Sequence, residues 1–159
     1  MTFWFRALVA MTALGIPLYA WVARGRVYGI FAAVILAIAL PGAVVMHERY
    51  LALAAAVGPA WLVPVLDAAF LWGLIAAALH LGSLVTAQLR PPAFRYAASI
   101  PGMVFVAAGA LSGVWLLVLV PLRLVLAWAG LDAGTTLLGW FDLVPFVVAG
   151  ASVATSARP

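Results

Sequence analysis

Long runs of apolar residues, broken only by short polar clusters, set the pattern of this chain. The first run covers residues 3–23 and stops at Arg24-Gly25-Arg26. The second covers 27–46 and stops at His47-Glu48-Arg49. A third runs over 61–89 to Arg90-Pro91-Pro92, a fourth over 101–128 and a fifth over 136–154. Each is near or above the roughly 20 residues that a helix needs to cross about 30 Å of hydrocarbon. The charges fall between the runs and not along one face of each helix, so the pattern predicts spanning helices and not amphipathic ones. The expected fold class is all-α: a polytopic transmembrane bundle of five spans, with four as the alternative, in one domain over residues 1–159. Residues 51–60 are apolar but separated from the third run by Pro59 and Pro64. They form either an interfacial or re-entrant helix, or the start of a third span kinked at the prolines.

Composition sharpens this picture. Of the 159 residues 69% are hydrophobic and 8% charged, against roughly 25% charged in a soluble domain. Cysteine is absent, which excludes disulfides, thiolate metal sites and thiol redox chemistry. All the basic residues are arginine, placed in loops and at run ends, so they speak for orientation in a bilayer and not for nucleic acid. With five spans, Arg24, Arg26, Arg90, Arg95 and Arg158 share one side and Arg6, Arg49 and Arg123 the other. That bias puts the C-terminus in the cytoplasm. Arg6 followed by an apolar run resembles a signal peptide, but Tyr19, Trp21 and Val22 crowd the cleavage positions, and an uncleaved first helix is expected. Trp4, Trp21, Trp61, Trp128 and Trp140, with Tyr19, Tyr28, Tyr50 and Tyr96, fall near run ends and form an aromatic belt. The expected location is a bacterial inner membrane, with the lipid bilayer as the constant partner.

Candidate chemistry is sparse. Asp67 and His80 lie inside the third run, where an ionisable group is costly and a functional candidate by default. About 20 Å separates them along a helix, so they form no local pair. Arg49 or Arg123 is the expected partner of Asp67, and Ser83, Ser112 or a carbonyl that of His80. Arg123 and Asp142 are placed to pair across the last hairpin, where Asp132 or Thr135 caps the fifth span and Pro145 kinks it. His47-Glu48-Arg49 lacks the second histidine of a zinc-binding helix and is expected to be a polar loop at headgroup level. His47 and His80 differ in depth by roughly 25 Å, too far for one haem iron. No metal or cofactor is expected. Gly109–Gly113 and Ala78–Gly82 carry the small-xxx-small spacing that lets helix backbones approach, as does Gly29–Ala33. They serve packing within the chain or contact with a second copy.

The order of features resembles the membrane region of bacterial membrane-bound metallophosphoesterases. The likeness rests on the aromatic-basic end of the first helix (Pro17-Leu18-Tyr19-Ala20-Trp21 through Arg26) and on Pro41 in the second. It also rests on a Trp-led third helix with an early acid (Trp61, Asp67) and on the tail Thr155-Ser156-Ala157-Arg158-Pro159. The D-x-H and G-N-H-[DE] metal motifs of that family's catalytic domain are absent, so no catalytic residue carries over. The resemblance implies a membrane region alone, or a stand-alone relative of it. The function expected first is a non-catalytic anchor or assembly module for a membrane-protein partner. Two alternatives are a small proton- or ion-coupled transporter acting as a homo-oligomer, and a lipid- or quinone-handling enzyme subunit using Trp72, Trp115 and His80.

Overall fold

The computed structural model describes residues 2–86, 91–131, 139–142 and 144–156. Among them every regular element is a helix. Helix α1 is Thr2–Arg24, α2 Arg26–Val57 and α3 Leu62–Thr86. Helix α4 is Pro92–Trp128, with a π-helical turn at Arg95–Ser99, and α5 is Val144–Ser156. The first four are long and apolar enough to cross a membrane. The fifth has 13 residues, about 20 Å at 1.5 Å per residue.

Two boundaries differ from the sequence pattern. Helix α2 does not stop at Met46: it continues through His47-Glu48-Arg49 to Val57. Residues 51–57 are its last turns, neither an interfacial helix nor the start of α3. The stretch is rich in Ala and Leu, which favour helix, and nothing in it breaks one. The break comes at Gly58-Pro59: Gly58 turns extended, its N–H bonds to the Ala54 carbonyl, and Leu62 N–H closes the turn onto Pro59. Helix α4 starts at Pro92, well before residue 101. Pro101 has no N–H for the carbonyl four residues back and would crowd it. The widened turn just before it relieves that clash, and Ile100 N–H reaches the Arg95 carbonyl instead. Pro145 sits in the first turn of α5, where a proline starts a helix; the junction with residues 139–142, where the expected kink would fall, includes residue 143, outside the described residues. The expected caps Asp132 and Thr135, the start of the fifth run, Arg90 and Arg158 lie outside the described residues.

Helices α2 and α4 form the centre. Helix α3 packs on both, α1 packs on α2 and α3, and α5 lies against α4. Glycine allows the central crossing. A β-carbon on Gly42 would overlap the Gly109 carbonyl oxygen and stand 2.5 Å from the Gly113 nitrogen. One on Gly109 would overlap the Ala39 carbonyl. Gly109 and Gly113 therefore serve a contact within the chain. Ala78 and Gly82 do not mark such a crossing: the nearest atom to a β-carbon on Gly82 is Ile16 Cδ1 at 3.8 Å. The α1–α2 turn is a single residue, Gly25, at φ +98°, a conformation that other side chains rarely adopt.

The bundle is apolar outside as well as inside. Leu14, Val22, Val27, Leu117 and Leu124 are exposed, while Leu36, Ala43, Met46, Leu74 and Ala108 are buried. Water does not tolerate a surface of this kind at such extent. In lipid it is the expected exterior, because the chains outside are as apolar as the core.

Candidate functional site: a layer of paired charges

Phe70 of α3 is the hub on which one end of the bundle is built. Around it stand one aromatic from each other helix: Phe5 at 6.2 Å between ring centroids, Tyr50 at 5.6 Å, Phe105 at 6.1 Å and Phe146 at 5.0 Å. Most are edge-on, the arrangement that ring quadrupoles favour. His47 joins the group, stacked on Phe5 at 4.0 Å and tilted against Phe70 at 5.3 Å. The cluster thus pins all five helices at one level.

The polar groups sit around this hub. His47 Nε2 lies 2.7 Å from Asp67 Oδ1, and their side chains are only 1% and 9% exposed. This corrects two expectations. Asp67 is held by neither Arg49 nor Arg123, and His47 is not in a headgroup-level loop, because α2 carries it past the expected stop and against α3. Asp142 forms the second knot. Its Oδ2 accepts from Arg49 Nη1 at 3.0 Å and its Oδ1 from Arg123 Nη2 at 2.8 Å. Tyr50 Oη donates to the Asp142 carbonyl at 3.0 Å, and Trp115 Nε1 donates to the neighbouring Phe141 carbonyl at 2.9 Å. One short segment before α5 is thereby tied to α2 and α4 by four hydrogen bonds from side chains. Tyr50 is 8% exposed, so it is a buried strut and not part of an aromatic belt. Arg6 of α1 pairs with Glu48 of α2 at the outer margin.

Each described carboxylate, Glu48, Asp67 and Asp142, therefore meets a basic side chain from another element. A buried pair contributes little net stability over an apolar one, but it penalises every arrangement that leaves one partner alone. The chemistry of the layer is registry: it fixes how the helices are rotated against each other.

The opposite end is built differently. Arg24 Nε donates to the Val85 carbonyl at 2.6 Å, tying α1 to the end of α3. Arg26 and Arg95 are exposed. His80, from the sequence-predicted set, lies toward this end. Its expected serine partners are engaged elsewhere: Ser83 Oγ donates to the His80 carbonyl and Ser112 Oγ to the Ala108 carbonyl. Among the described residues no group bonds His80 Nδ1. Asp67 and His80 are not brought together. Trp4, Trp21, Trp61, Trp128 and Trp140 are all more than half exposed. No group of three or more His, Asp or Glu able to hold a metal is present among the described residues.

His47, Arg49 and Tyr50 are the residues the sequence pattern undervalued. The signal that finds them is Gly58-Pro59. Taken as the stop of α2, it puts His47 and Asp67 on the two arms of one helical hairpin.

The fold and this layer define the class: an all-α bundle with four helices long and apolar enough to cross a membrane, pinned at one end by paired charges. Comparisons with protein-family models, with curated proteins and with solved structures find no match for the chain.

Proposed function

We propose that this chain is a multi-pass protein of a bacterial inner membrane that acts as an anchor or assembly module for a partner. The observation that carries the reading is the pairing of Glu48, Asp67 and Asp142 with basic side chains of other elements. Groups engaged in this way hold helices together. The apolar exterior supports residence in a bilayer. The end bearing Arg24, Arg26 and Arg95 is assigned to the cytoplasm, because basic residues collect on that side. The resemblance in the order of sequence features makes a metallophosphoesterase the first partner to look for.

The test is capture of the tagged full chain from its native membrane in mild detergent, with mass spectrometry of what co-elutes. A stoichiometric partner, retained by an Asp67→Asn/His80→Gln double variant, is the expected result. A homogeneous particle of this chain alone would overturn it. One observation favours a second reading: an imidazole and a carboxylate, His47 and Asp67, meet at 2.7 Å inside the bundle, and ionisable groups within spans are the ones proton relays use. A proton-coupled carrier using this pair would lose uptake in Asp67→Asn vesicles while keeping its fold.

A further inference from the structure

A groove of about 430 Å³ runs between α2 and α4 on the outside of the bundle. Pro41 and Val45 form its α2 wall, and Leu116, Val120 and Pro121 its α4 wall. Gly42 and Gly113, which meet at the helix crossing, line it between the walls. A crossing built on glycine brings no side chains to fill the space beside it. The size falls within the range of small-molecule sites, about 300–1,000 Å³. Every described lining residue is apolar, so the groove suits hydrocarbon.

Both walls lead to an arginine at the same end. Arg49 lies one helical turn past Val45 and two past Gly42. Arg123 lies one turn past Val120 and two past Leu116. Residues so spaced share a helix face. Arg49 stands about 12 Å along α2 from Pro41, and Arg123 about 15 Å along α4 from Gly113. One leaflet of hydrocarbon, half of about 30 Å, has that depth. Arg26 opens α2 at the opposite end, so the groove runs from the arginines toward the middle of the span.

Arg49 is the cation that a ligand in this groove meets. Asp142 gives it one oxygen, and Arg123 takes the other. The Arg49 side chain remains 37% exposed, and a guanidinium carries five N–H donors in a fixed fork. Among the described residues no second acceptor bonds it. Arginine recognises phosphate through such N–H groups. An exposed guanidinium at the head of an apolar groove one leaflet deep matches a phosphate carrying an acyl chain.

We propose that the α2–α4 groove holds one anionic phospholipid, with its phosphate on Arg49 and an acyl chain along Val45, Leu116 and Val120 toward the middle of the span. A second copy of the chain or a helix of another protein would lay an apolar segment against the exposed guanidinium. A lipid brings its own phosphate to that level. The inference rests on the bilayer residence of the proposed function and not on the anchoring role. A lipid adduct on the purified chain is read without any partner, so either can fail alone.

The experiment is native mass spectrometry of the full chain in mild detergent, after incubation with phosphatidylglycerol or phosphatidylcholine of identical acyl chains. The expected result is one phosphatidylglycerol retained per chain, about five-fold over phosphatidylcholine, the order expected for one basic residue near an anionic headgroup. Arg49→Gln should abolish that preference, and Arg49→Lys, which keeps a charge at that level, should retain it. Because Arg49 also braces Asp142, two further variants leave the ion pairs intact and fill the groove, one from each wall: Val45→Trp and Val120→Trp. Either, eluting as a single species with unchanged helix content, should lose the adduct. Equal retention of the two lipids by the parent chain would overturn the proposal. So would an adduct that survives both tryptophans, or a dimer in place of the lipid adduct.

Discussion

The two ends of this bundle use the same residue type in opposite ways. At one end Arg6, Arg49 and Arg123 each meet a carboxylate of another element, around an aromatic hub fed by every helix. At the other, Arg24 takes a backbone carbonyl, and Arg26 and Arg95 stand exposed. An arginine with a partner specifies how helices fit. One without a partner reports only where the hydrocarbon stops. Along α3, Asp67 and Thr86 are about 28 Å apart, so the two ends are separated by close to one hydrocarbon thickness. The paired end is therefore the specifying end.

The strongest way to break this contrast is Asp142→Ala. It removes the carboxylate that Arg49 and Arg123 share, and truncating one side of a buried ion pair costs about 3–5 kcal/mol. The expected readout is a large drop in the unfolding midpoint of the purified chain in mixed micelles, followed by circular dichroism. Phe70→Ala should come next. It empties the hub, and large-to-small changes of this kind cost about 3 kcal/mol or more. Lipid replaces water as the reference solvent, so the packing loss and not transfer sets the size.

Asp67→Ala should cost about 2 kcal/mol by leaving a buried imidazole without its acceptor. Replacing both members, His47→Leu with Asp67→Leu, should recover most of that loss, since an apolar pair of similar size is often neutral or better. A double variant as damaged as the single would show that the pair does more than satisfy itself. At the other end, Arg24→Ala should lower stability by about 1 kcal/mol, one part-buried hydrogen bond. Arg95→Ala should leave the midpoint unchanged. A large effect of either would erase the distinction between the ends.

Much of the architecture is legible in the residues. Apolar runs longer than a bilayer crossing, and breaks such as Arg24-Gly25-Arg26, specify helices and tight turns through purely local physics. Arg123 and Asp142 also stand near enough in the chain, across one connection, for their 2.8 Å contact to follow from position. His47 was not legible in this way. A polar triplet inside an apolar run has the composition of a headgroup loop, and hydropathy alone ends the helix there. Helix α2 continues because nothing breaks it before Gly58-Pro59, and its carboxylate, imidazole and guanidinium are accommodated there by Arg6, Asp67 and Asp142 on three other elements.

The sequence by itself determined the solvent, the helices and most of the turns, because these depend on transfer free energy and backbone propensity residue by residue. The tertiary structure alone decided which charges meet. Side chains 20 to 93 positions apart, such as His47 with Asp67 and Arg49 with Asp142, come within 3 Å through helix rotation and crossing. That rotation is set jointly by the glycine contact of α2 with α4, the five rings around Phe70 and the charge pairs themselves, and no local pattern encodes it.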